Sequence, residues 1–104
     1  MSTPTTTSNE DAMQSPAVRR VVVCNRRGLH ARAAAKFVKL VGEFRGAQVT
    51  VVRRDQQVPG GSIMGLMMLA AGPGCEIELR AEGPQAEAAL DALVDLVQRK
   101  FDED

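Results

Sequence analysis

The chain has 104 residues, with thirteen basic and thirteen acidic side chains that cancel. No net field therefore draws it to nucleic acid or to an anionic membrane, and basic–aromatic interleaving is absent. The length fits one hydrophobic core and no second. Phe, at three copies, is the sole aromatic type, so that core must be built from Val, Leu, Ile, Met and Ala.

No apolar run reaches membrane-spanning length, and the N-terminus lacks the basic and apolar segments of a signal peptide. The expectation is a cytoplasmic protein. Cys24 and Cys75 stand far apart in apolar, strand-like runs, without a CxxC motif or a Cys/His cluster. They read as two reduced thiols in the core, with neither a disulfide nor a metal.

Residues 1–17 are rich in Ser, Thr and Pro and have almost nothing to bury. They are expected to form a disordered extension, leaving residues 18–104 as the folded domain. Arg19 to Cys24 is β-rich through Val21, Val22 and Val23. From Leu29 onward, Ala33, Phe37, Leu40 and Phe44 recur at helical steps, and Gly46 closes the segment. Ala47 to Arg53 returns to strand composition, with Arg54-Asp55 as a tight turn into Gln56 to Pro59. Gly60-Gly61 break the chain before a short apolar helix over Ile63 to Leu69, which Gly72-Pro73-Gly74 ends.

The clearest strand follows, with Cys75, Ile77, Leu79 and Ala81 on one face and Glu76, Glu78, Arg80 and Glu82 on the other. Gly83-Pro84 opens the last helix, whose buried stripe is Ala86, Leu90, Leu93 and Val97. Glu87, Asp91 and Asp95 lie towards its start and Arg99 and Lys100 at its end, as the helix dipole favours. The order β-α-β-β-α-β-α, with one polar sheet face, predicts a two-layer α/β sandwich. Its mainly antiparallel sheet should be covered by helices on one side and by water on the other.

The single histidine lies in the run Asn25-Arg26-Arg27-Gly28-Leu29-His30-Ala31-Arg32, where the first strand hands over to the first helix. Imidazole is a nitrogen nucleophile that is substantially neutral near neutral pH, and phosphorylation on a ring nitrogen gives a labile P–N bond. A helix start offers free backbone N–H groups and the positive dipole end to an anion. Gly28 permits a tight turn, and Arg32 can close a planar guanidinium fork over phosphoryl oxygens. On these grounds alone, a surface histidine acting as a weak helix cap fits equally well.

Gly28-Leu29-His30-Ala31-Arg32 resembles the active-site signature of HPr, the histidine-containing phosphocarrier family of the phosphoenolpyruvate-dependent phosphotransferase system. Ser62-Ile63-Met64-Gly65-Leu66-Met67 resembles the second signature of that family, at the usual separation, and the likeness covers roughly residues 18 to 101. It implies an HPr-like open-faced β-sandwich with four strands and three helices, working as a monomer without a cofactor or metal. It also implies a phosphocarrier rather than a self-sufficient enzyme, which takes a phosphoryl group from enzyme I onto Nδ1 of His30 and gives it to an enzyme IIA protein. Arg32 and the backbone of Gly28, Ala31 and Ala33 would hold the phosphoryl oxygens.

Many relatives have proline where this chain has Ala33. With the Leu66-Met67-Met68-Leu69-Ala70-Ala71 run, that departure resembles the nitrogen-related branch and favours a regulatory relay over sugar uptake. Ser62 reads as a helix N-cap, and the resemblance makes it the target of an HPr kinase/phosphorylase. The short helix is too apolar to bury fully, so Ile63, Met64 and Met67 are expected to be partly exposed for docking, with Leu66 and Leu69 inward. The rival reading is a regulatory interaction module in which His30 is vestigial.

Overall fold

The structure, a computed structural model, describes residues 16–103. The expected disordered extension thus falls largely outside the described residues. Ala17 does not belong to it, because it opens the first strand and faces Ala81 across the ladder.

The elements are β1 (Ala17–Val22), α1 (Ala31–Gly42), β2 (Gln48–Arg53), β3 (Gln56–Pro59), α2 (Ile63–Met68), β4 (Glu76–Glu82) and α3 (Ala86–Gln98), followed by a short 3-10 turn over Lys100–Asp102. The sheet order is β1-β4-β2-β3 and every pairing is antiparallel. The clearest strand of the sequence is thus central, and its alternation fixes register on both sides. Val21 faces Ile77, which faces the core, and Val51 faces Leu79. A one-residue slip would turn all of these side chains into water.

The helices cover this inner face. Ala33, Ala34 and Phe37 of α1, Leu66 of α2, and Ala89, Leu90, Leu93 and Val97 of α3 close over Val49, Val51, Ile77 and Leu79. The other face carries Val18, Arg20 and Val22 beside Glu76, Glu78 and Arg80, with Glu78 bonded to both Arg20 and Arg80. That face is open, as the polar alternation predicted. Among the described residues, no helix is long and apolar enough to cross a membrane.

Several boundaries differ from the sequence reading. α1 stops at Gly42, before Phe44 and Gly46, because its last N–H groups tighten onto i−3 carbonyls: Glu43 to Leu40 and Phe44 to Val41, both at 3.0 Å. Phe44 then packs from a turn instead of a helix. Pro84 lies in the turn before α3 and not in its first helical turn. Cys24 is exposed and Cys75 half-buried, both with free thiols. Cys24 misses the core because it alternates outward between Val23 and Asn25, both fully buried.

Phe37 is fully buried where α1 meets the sheet. Phe37→Ala should lower the unfolding free energy by about 3–5 kcal/mol, read from urea denaturation. A loss below about 1 kcal/mol would show that α1 does not anchor the layer.

Candidate functional site

The loop between β1 and α1 is built around Gly28. At φ +65° this residue is left-handed, and a Cβ on it would lie 2.4 Å from the carbonyl oxygen of Ala71. Only glycine allows both the turn and the close approach. Leu29 N–H donates to that same Ala71 carbonyl at 3.0 Å, and the Leu29 side chain is buried. The next residue, His30, is thereby delivered to the N-cap of α1.

Its ring does not cap the helix; no side-chain cap bond exists. The ring turns towards the C-terminus instead, where Nε2 lies 2.8 Å from Oε2 and 3.0 Å from Oε1 of Glu103. This removes the reading of His30 as a simple cap. Nδ1 makes no hydrogen bond among the described residues and is not among the buried, unpartnered polar atoms, so it is accessible from solvent.

The N–H groups of Ala31, Arg32 and Ala33 are the first of α1 and have no intrahelical acceptor. That of Gly28 is already donated to the Asn25 carbonyl at 3.2 Å, so Gly28 shapes the loop rather than offering a donor. Arg26, Arg27 and Arg32 are all exposed around the same turn.

Sequence reasoning missed two residues here. Asn25 is completely buried, and its Nδ2 donates to the carbonyl of Gly28 at 2.8 Å and to Glu103 Oε1 at 2.9 Å. Glu103 sits among acidic residues at the chain end and carries no motif. The available signal was Phe101, a lone aromatic in a charged run, which must be an anchor.

Phe101 is fully buried, and its carbonyl accepts from Lys36 Nζ at 2.6 Å. Lys100, Phe101 and Asp102 have φ of +62°, +54° and +61°, three left-handed non-glycine residues in a row at about 1–2 kcal/mol each. Burial of the ring and the bonds Asp102 N–H to Arg99 O and Glu103 N–H to Lys100 O hold the turn in place.

α2 lies beside this loop. Ser62 caps it by accepting from Gly65 N–H at 2.9 Å, as expected. Ile63, Met64 and Met67 are exposed, together with Met68, while Leu66 and Leu69 are buried. Arg53 ties the far end of α2 to the sheet, donating to the Leu69 carbonyl at 2.9 Å and to Cys75 Sγ at 3.2 Å. Among the described residues, no group of three His, Cys, Asp or Glu is placed to hold a metal.

Residues 17–99 match the family model described as the PTS HPr component phosphorylation site. The chain belongs to the HPr family. It is 51% identical over 86 residues to the phosphocarrier protein HPr of Pseudomonas putida, covering 82% of this chain and 94% of that one. To the phosphocarrier protein NPr of Shewanella violacea it is 47% identical over 85 residues, covering 82% and 92%. HPr-C-His from Thermoanaerobacter tengcongensis, at 40% identity, superposes with a TM-score of 0.80 over 85% of this chain and 98% of that structure. The open-faced sandwich and its element order are those of this HPr-family member.

The Glu103 carboxyl is held below its ordinary value, first by the Asn25 amide and then by the His30 hydrogen bond and the charges of His30 and Arg27, with partial burial opposing them. A lowered carboxyl pKa stabilises the fold above the unfolded-state value, and the contribution is lost as pH falls through the folded value. Glu103→Gln should therefore flatten part of the acid-side loss of stability without changing the pattern above neutrality. Urea midpoints measured from neutral to strongly acid pH check this, and identical acid limbs in the two proteins would contradict it.

Proposed function

We propose that this chain accepts a phosphoryl group from phospho-enzyme I on Nδ1 of His30 and passes it to an enzyme IIA protein, in a nitrogen-type regulatory relay in the cytoplasm. The observation that carries the reading is the chain's sole imidazole at a helix start, with Nε2 held and Nδ1 open. A phosphoryl group arriving at Nδ1 meets unpaired N–H groups of the first turn and the positive dipole end. Arg32 stands two residues along with a guanidinium fork that matches phosphoryl oxygens. The chain is consumed and regenerated as a stoichiometric carrier, so it does not turn over without its partners.

The exposed Ile63, Met64 and Met67 supply a flexible apolar surface beside the loop, suited to binding donor and acceptor in turn. Ser62 borders that surface. Phosphorylation there by an HPr kinase/phosphorylase would add about −1.5 to −2 charges and weaken docking to an acidic partner. Ala33 and the Leu66-Met67-Met68-Leu69 run support the nitrogen-type assignment, as does the similarity to a protein named NPr.

Incubation with enzyme I and phosphoenolpyruvate should add one phosphoryl group by mass, and His30→Ala should abolish the shift while leaving the fold intact. A normal shift in the alanine variant would move the acceptor elsewhere. An unmodified native protein would favour an interaction module with a vestigial histidine.

Arg32→Lys should slow transfer by about tenfold or more at unchanged docking, since a point charge lacks the fork. Ser62→Asp should instead raise the KM of the carrier in the enzyme I reaction. Steady-state kinetics separates the two effects, and an unchanged rate for Arg32→Lys would remove Arg32 from the mechanism.

A further inference from the structure

The His30 ring is gripped on one side only. An ionised carboxylate accepts hydrogen bonds and cannot donate them, so the nitrogen facing Glu103 must carry the proton of a neutral ring. The other tautomer would set a lone pair against carboxylate oxygens 2.8 and 3.0 Å away. Nδ1 then keeps its lone pair.

Glu103 is itself fixed in position. Asn25 Nδ2 binds Oε1 from a fully buried site, and the left-handed turn pinned by Phe101 presents the residue to the ring. Phe101 would anchor this turn whatever residue followed it, and the Glu103 side chain keeps some exposure, so the core does not require a carboxylate there. What the carboxylate meets, apart from Asn25, is the imidazole.

We propose that Glu103 is a positioning residue for phosphoryl transfer, holding His30 as the Nε2–H tautomer with the Nδ1 lone pair directed at the incoming group. The inference rests on the carrier reading above. As Nδ1 attacks, the Nδ1–P bond forms and the donor's bond to phosphorus breaks, its electron pair returning to the donor. Nε2 keeps its proton, so the ring becomes an imidazolium beside a carboxylate already in place. That charge needs no reorganisation to be stabilised. In the onward step the acceptor takes the phosphoryl group, the electron pair of the P–N bond returns to Nδ1, and the ring is neutral again in the same tautomer. The carboxylate and the phosphoryl group use different nitrogens, so the two anions do not compete for one place.

The test uses the full chain labelled with nitrogen-15. Ring nitrogen shifts in alkaline buffer report the tautomer of the single histidine, and rapid-quench assays with phospho-enzyme I report the transfer rate. The native protein should show essentially one tautomer, Nε2–H. Glu103→Ala should show a mixture and transfer about tenfold more slowly, equivalent to about 1.4 kcal/mol, at an unchanged KM. Glu103→Gln keeps an acceptor and loses the charge, so it should preserve the tautomer and recover only part of the rate. An unchanged tautomer ratio and rate in Glu103→Ala would overturn the positioning role while leaving His30 as acceptor. Failure of the native protein to accept phosphate would overturn the carrier reading and this inference with it.

Discussion

Leu29 N–H and the carbonyl of Ala71 meet at 3.0 Å, and the missing side chain of Gly28 lets the two backbones come that close. One end of this contact is the loop that presents His30. The other is the chain leaving α2, whose outer face carries Ile63, Met64 and Met67. The two segments are 42 residues apart in sequence, yet their relative placement depends on backbone atoms rather than on long side chains. A flexible linkage would leave the imidazole and the apolar surface to find each other anew in each encounter. A backbone contact fixes them, so any partner that covers the α2 face is also registered against the ring. Arg53 reinforces the same end of α2 from below, through the Leu69 carbonyl.

The sheet makes this arrangement possible by being covered on one side only. All three α-helices of the described residues and the C-terminal turn crowd onto the inner face, so the starts and ends of α1, α2 and α3 share one layer. His30 at the start of α1 and Glu103 after the end of α3 are 73 residues apart and in contact. Lys36, one turn into α1, holds the Phe101 carbonyl and keeps the closing turn over the same helix. A layer of helices on each face would have divided these termini between two sides.

The fold was legible because its signals are local and repeated. The alternation of residues 75–82 gave a central strand, and the stripe Ala86, Leu90, Leu93 and Val97 gave a helix over it. Boundaries were less legible, since α1 ends where terminal N–H groups choose i−3 carbonyls, which side-chain spacing does not record. Cys24 was misplaced for a related reason: an apolar run implies burial, but alternation beyond the end of β1 decides which side faces water. At the site, His30 and Arg32 stand in a compact motif that the sequence displays. The contacts of Glu103 with Asn25 and His30 join distant chain segments and leave no such pattern. The left-handed run at Lys100–Asp102 is still harder to foresee, as three non-glycine residues adopt positive φ only when tertiary anchors impose it.

Charge is distributed in keeping with a carrier that must both bind and release. The chain is neutral overall, and exposed Arg26, Arg27 and Arg32 form a locally positive cluster around the α1 start. Acidic Glu87 and Asp91 are drawn away onto α3, where they pair with Arg19 across the edge of the sheet. Exposed cations act over about 8 Å at physiological salt, far enough to orient an encounter and too weakly to prolong it. The apolar side chains of α2 that face solvent, Ile63, Met64, Met67 and Met68, are flexible enough to repack. Tight binding to either the donor or the acceptor would slow release and stall the relay, since affinity among related complexes is set mostly by the off-rate. A small, half-apolar surface beside a locally positive turn is compatible with both demands, because it combines long-range orientation with limited contact area.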